Sequence, residues 1–120
     1  MRMIRDTDAA FFDKGNGAAL AEFIGRTAAI RRCGYGVAKT RLAPGAFEGR
    51  HRHAVTEEAY LFISGRCRMR VNGEEYSLSG GDLLLAEPGD RHEIVEALEE
   101  TEFWVLTLPA FDPEDYLADA

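Results

Sequence analysis

The sequence predicts an all-β antiparallel barrel or sandwich. Three observations carry that reading: short runs of aromatic and β-branched residues, Gly or Pro turns between them, and no long apolar stripe of helical period. A chain of 120 residues with 46% hydrophobic content is the size of one domain closing one core, so residues 1–120 are expected to act as a single unit. No internal repeat is visible.

Taken in order, residues 1–27 carry mixed signals. AALAEFIG contains helix formers, while the turn chemistry of DKGNG at Asp13 to Gly17 interrupts any long periodicity, so this region is expected to supply a strand or short helix covering an open edge. From Ala28, AAIRRCGYGVAKTRL predicts a strand with Gly34 and Gly36 as bulges or close-approach points, stopped at Pro44-Gly45. Glu58 to Ser64 predicts the next strand, ended by Gly65. Cys67, Met69 and Val71 alternate with Arg66, Arg68 and Arg70, the period of a strand with one buried and one solvated face. Asn72-Gly73 marks a type I′ hairpin leading into EEYSLS. Leu83 to Ala86 reads as a strand buried on both faces, His92 to Val95 as a further strand, and Glu96 to Glu102 as an acidic surface loop. Phe103 to Leu108 is the last clear strand, followed by an acidic, proline-broken tail with Phe111, Tyr116 and Leu117 as docking points.

Fourteen basic against 21 acidic residues give a net charge of -7, which disfavours nucleic acid and anionic membrane as partners. No stretch approaches the roughly 20 apolar residues of a membrane span, and Met1 to Phe12 lacks a signal-peptide core, so a cytoplasmic location is expected. Cys33 and Cys67 are too few and too far apart for a disulfide framework or a Cys-x-x-Cys site. Both are expected to be free, buried thiols.

All three histidines fall in two Gly-bounded segments, GAFEGRHRHAVTEEAYLFISG and GDLLLAEPGDRHEI. Residues two apart on a strand share a face, so His51 and His53 project together while Arg50 and Arg52 face away. Only one of Glu57 and Glu58 can join them; Glu58 is chosen because its face continues into Tyr60 and Phe62, which suit an interior. With His92 behind the Pro88-Gly89 turn, three imidazoles and a carboxylate form a candidate divalent-metal set with about two open positions in octahedral geometry. The bland alternative is a metal-free barrel whose histidines titrate independently.

These residues resemble the cupin superfamily. Gly45, His51, His53, Glu58 and Gly65 fit its first motif throughout, and Gly81, Gly89 and His92 fit its second, where Glu87 replaces a proline and Glu96 an asparagine that is not a ligand. Fifteen residues separate the motifs, the short spacer of small bacterial cupins. The resemblance covers Val37 to Leu108 and implies a conical double-stranded β-helix, a jelly-roll-like barrel, usually dimeric, with metal bound by His51, His53, Glu58 and His92 and short extensions at both ends. Iron, manganese, nickel, zinc and copper all tolerate such a ligand set.

The family hosts many chemistries, so the expected function is stated by class. One expectation is an enzyme of dioxygenase or isomerase/epimerase type, acting on a small oxygen-rich molecule chelated to the metal, with Tyr60 as general acid or orienting hydroxyl. The other is a non-catalytic, metal-containing module that binds or senses a small ligand. Packing is the plainer role for Cys67 and Met69, and equally open for Tyr60. A homodimer is expected from the family and from the apolar N-terminal and FWVLTL strands, which would otherwise leave edges exposed.

Overall fold

In the computed structural model, residues 1–119 are described, and they fold as two facing sheets that are antiparallel throughout except for one short parallel pairing. The strands are β1 (Phe12–Gly15), β2 (Ala18–Gly25), β3 (Ile30–Arg31), β4 (Gly36–Leu42), β5 (Glu48–Arg52), β6 (Glu57–Ser64), β7 (Arg66–Val71), β8 (Glu74–Ser79), β9 (Leu83–Ala86), β10 (His92–Ala97), β11 (Thr101–Leu108) and β12 (Leu117–Ala118). One sheet runs β1-β2-β4-β11-β6-β9, with β3 parallel to β2, and the other runs β12-β5-β10-β7-β8. Short 3-10 turns at Asp6–Asp8 and Pro113–Asp115 are the helical pieces among the described residues, and no helix there is long and apolar enough to cross a membrane.

Alternation builds the interior. On β6, Glu58, Tyr60 and Phe62 are buried, and on β7, Cys67 and Met69 are fully buried between outward arginines. Those arginines are laced to acids across the sheet, Arg68 to Glu75 and Glu96, and Arg70 to Glu93, a solvated charge ladder as expected. Leu42, Phe62, Met69, Ile94 and Phe103 fill the space between the sheets. The Asn72-Gly73 hairpin has positive φ at both residues, 49° and 84°, which the type I′ turn requires. Gly65, at φ 85°, crosses so close to the Glu100 carbonyl and Thr101 that any Cβ would collide.

The N-terminal region covers an edge with strands, one of the two forms expected: β1 and β2 make a hairpin that pairs with β4 and widens the first sheet, and it contains no α-helix. Several other expectations need correction. The strand expected from Ala28 is split: β3 is a two-residue strand, and the longer run starts only at Gly36. Leu83–Ala86 is not buried on both faces. Its β9 pairs only with β6 at the end of the sheet, and Leu83 and Leu85, 60% and 44% exposed, point outward where nothing covers them. The acidic loop shrinks to residues 98–100, because Glu96 and Ala97 still pair with β7 and Thr101 already pairs with β4. Cys67 is a buried free thiol, but Cys33 is exposed in the segment between β3 and β4. Finally, β11 is internal, hydrogen-bonded to β4 on one side and β6 on the other, so FWVLTL leaves no open edge.

Candidate metal centre

The second sheet brings the two histidine segments together. On β5 and β10, His51 and His92 are directly opposite each other, and His53 follows at the end of β5. Glu58 enters from the first sheet on β6. All four side chains are buried, and one ligand atom from each lies within 4.8 Å of the others. The parity argument for Glu58 over Glu57 holds: Glu58 is buried and Glu57 is not.

Every imidazole is held by its Nδ1. His51 Nδ1 donates to the Gly49 carbonyl (2.9 Å), His53 Nδ1 to the Asp115 carbonyl (2.7 Å) and His92 Nδ1 to the Asp90 carbonyl (3.0 Å). A carbonyl can only accept, so each Nδ1 carries the proton and each neutral ring presents a lone pair at Nε2. The Nε2 atoms of His53 and His92 stand 2.9 and 3.0 Å from the same Glu58 oxygen, which is also an acceptor. Acceptors facing one another at this distance are held together by a second ring proton or by a metal ion between them. His53 Nε2 is buried and has no well-aligned hydrogen bond. Three lone-pair nitrogens and a carboxylate, one nitrogen orphaned, fit a divalent transition-metal ion.

The electrostatics keep Glu58 ionised and His51 neutral, whereas His53 is drawn toward its protonated form by Glu58. Burial favours the neutral form of Glu58, but His53 and His92 outweigh it and hold the carboxyl well below its ordinary range. For His53, burial pushes the imidazole down, and the adjacent Glu58 outweighs it and raises it. For His51, burial prevails over the pull of Glu48, and the ring is held toward its neutral, ligating form. The Tyr60 hydroxyl is pushed well above the ordinary phenol range, by burial first and by the Glu58 charge next, and it donates to Glu58 Oε1 at 3.3 Å.

A cavity of about 390 Å³ opens onto His51, His53 and Glu58, and Tyr60, Thr107, Glu48, Lys14 and Tyr116 also line it. That size suits a small molecule. Cys67 and Met69, fully buried, are core residues and not part of its wall.

Sequence reasoning missed three participants. Glu48 has the wrong parity relative to His51, yet a bulge sets Gly49 and Arg50 of β5 against the single residue Glu93 of β10 and brings Glu48 Oε1 to 3.8 Å from His51 Nε2, with Lys14 paired to its other oxygen at 2.8 Å. Gly49 inside that bulge was the available signal. Asp115 belongs to the tail, and no local pattern marks it. Tyr116 was legible as an aromatic docking point, and the place where it docks is the His51 ring.

Residues 38–108, more than half of the chain, match the family described as the Cupin domain. No curated protein matches the chain by sequence. Among solved structures, KdgF from Halomonas sp. superposes with a TM-score of 0.82 at 17% identity, covering 95% of this chain and 98% of that one. Streptomyces Pac13, described as a nucleoside dehydratase, gives 0.79 at 18% identity over 99% of this chain and 91% of that one. An uncharacterized double-stranded β-helix protein from Klebsiella pneumoniae gives 0.78 at 20% identity over 100% and 99%. At these identities the likeness is one of fold.

Proposed function

We propose, since the chain belongs to the cupin domain family, that it is a metal-dependent enzyme in which His51, His53, Glu58 and His92 hold a divalent transition-metal ion and residues 1–120 act as one unit. The observation that carries this reading is the convergence of three Nδ1-protonated imidazoles and one carboxylate, of which His51, His53 and Glu58 line a cavity of small-molecule size and His92 lies behind them. The substrate class is a small oxygen-rich molecule that chelates through adjacent oxygens. Bound there, the ion supplies Lewis-acid polarisation of a substrate oxygen, or electron transfer if it is iron.

The remaining chemistry falls to the chain. Tyr60 keeps its proton at neutral pH, and once Glu58 is committed as a ligand the Tyr60 hydroxyl is free to donate to a substrate oxygen, as general acid or orienting group. Glu48 is a cavity carboxylate outside the ligand set, a second proton-handling group. A protonated phenol and a carboxylate on one cavity favour proton transfer, as in an isomerase or epimerase, over dioxygenation. The likeness to Pac13, described as a nucleoside dehydratase, supports the point that this barrel can host an enzyme. Phe103 and Val105 give the cavity an apolar wall.

The test offers sugars, keto acids and diketones to the metal-loaded protein, with and without oxygen, in deuterated water. Deuterium incorporation or isomer formation that disappears in Glu58→Ala and falls in Tyr60→Phe supports proton transfer. Oxygen consumption moves the assignment to a dioxygenase. Tight ligand binding with no turnover makes the protein a non-catalytic binding module.

We also assign to this chain a homodimer, seated on the outer face of the first sheet. There Leu83, Leu85, Leu106 and Leu108 are exposed, with Leu85 and Leu106 flanking Ala59 across three adjacent strands. Contiguous exposed apolar surface of this kind marks an interaction site.

A further inference from the structure

Two of the three histidines are oriented from within their own segments. Gly49 and Asp90, each two residues from the histidine it serves, accept from His51 and His92. His53 differs, because its Nδ1 partner is the main-chain carbonyl of Asp115, 62 positions away and beyond the segment that matches the family. The Asp115 side chain grips the same loop. Its carboxylate accepts from Ala54 N (2.8 Å), Val55 N (3.2 Å), Thr56 N (2.9 Å) and Thr56 Oγ1 (2.7 Å).

Residues 54–56 are most of the connection between His53 and Glu58. One residue of the tail therefore fixes the tautomer and ring direction of one ligand and the loop that leads to another. The tail is itself anchored on either side of this point. Asp112 caps the turn Pro113–Asp115, Tyr116 stacks on His51, Leu117–Ala118 pairs with Arg52 and His51, and Asp119 is ion-paired with Arg50.

We propose that Asp115 is a positioning residue of the metal centre and that the segment Pro113–Ala118 is a strap without which the centre is incomplete. The inference rests on the metal reading above and extends it to residues outside the cupin motifs. Partners that orient a ligating histidine are worth about 10–100-fold in metal affinity when removed. The centre in this chain is thus assembled by sequence-distant parts, and its affinity is set partly by the tail.

The experiment titrates Co²⁺ into the full-length protein and into Asp115→Ala, Asp115→Asn and Thr56→Val, against a chromophoric chelator. It also records the visible Co²⁺ spectrum and the melting temperature of each metal-free form. Asp115→Ala keeps the main-chain carbonyl that accepts from His53 Nδ1 but releases the loop amides held by the carboxylate, so it is expected to bind more weakly, by up to about 10-fold, with a changed spectrum. Asp115→Asn, which keeps an acceptor oxygen for the loop amides, is expected to recover most of the affinity and the original spectrum. Should Asp115→Ala fail to fold, Thr56→Val, which removes one bond to the same carboxylate, carries the test with a smaller loss in the same direction. Unchanged affinity and spectrum in the folded variants overturn the proposal, as does a loss that only follows the metal-free melting temperature and is not recovered by Asn. If the unsubstituted protein binds no Co²⁺, the metal reading itself fails, a result distinct from unchanged binding in the variants.

Discussion

The rings of Tyr116 and His51 lie face to face, with centroids 4.4 Å apart and planes inclined by 17°. Tyr116 thereby covers one wall of the candidate metal centre. Tyr116→Ala is expected to destabilise the metal-free protein by about 1 kcal/mol, and Tyr116→Phe, which keeps the stack, by much less. Urea denaturation followed by far-ultraviolet circular dichroism measures both. Equal midpoints for the alanine variant and the unsubstituted protein would show that the stack contributes nothing.

Thr107 lies beside Glu58 on one side and Gly36 on the other, and its buried hydroxyl has no hydrogen-bond partner. It sits over Gly36 where a Cβ would collide with it. Thr107→Val removes a desolvated, unpaired group while keeping the shape, so stability is expected to hold or to rise by up to about 1 kcal/mol. Gly36→Ala forces the hydroxyl or the strand to move and is expected to cost about 1–3 kcal/mol. Thermal unfolding of the two variants separates them by sign.

Burial pushes the Cys67 thiol up to about 11, whereas Cys33 is exposed. Native protein is therefore expected to take up one equivalent of iodoacetamide at Cys33 at pH 8, and Cys67 to react only after denaturation. Because folding raises this group from 9.0 to about 11, the unfolded chain loses the thiol proton first. The contribution is fully present below pH 9 and is lost as pH rises through about 11. Mass spectrometry of alkylated peptides reads the first point. Cys67→Ala, with a flatter stability profile between those pH values, reads the second.

For the dimer, single charges placed in the apolar strip are the direct probe. Leu85→Glu and Leu106→Glu are expected to convert the dimer to a monomer in light scattering at micromolar concentration, without loss of folded signal, because both side chains are exposed in the single chain. A monomer before any substitution would remove this assignment.

Much of the centre was legible in the sequence because strand parity is a strict rule. His51 with His53, and Glu58 with Tyr60, follow from residues two apart sharing a face, and His92 from the Pro-Gly turn before its strand. The hairpin at Asn72-Gly73 was equally readable, since few residues adopt its backbone. What escaped depends on tertiary context. The bulge that turns Glu48 toward His51 breaks parity, and Gly49, the one local sign of it, does not say which way the flanking side chains turn. Leu83 and Leu85 look like core residues and are exposed because their strand ends the sheet. Asp115 acts on loop amides some 60 positions upstream, a relationship no window of sequence contains.

The central claim is that His51, His53, Glu58 and His92 form a metal centre. Elemental analysis of the purified protein beside His51→Ala, after both are loaded with the same divalent metal and desalted, tests it most directly. The account predicts about one ion per chain in the unsubstituted protein, and little in the variant, with a melting temperature that EDTA lowers only in the former. Stoichiometric metal retained by His51→Ala, or no metal and no EDTA effect in the unsubstituted protein, would contradict it.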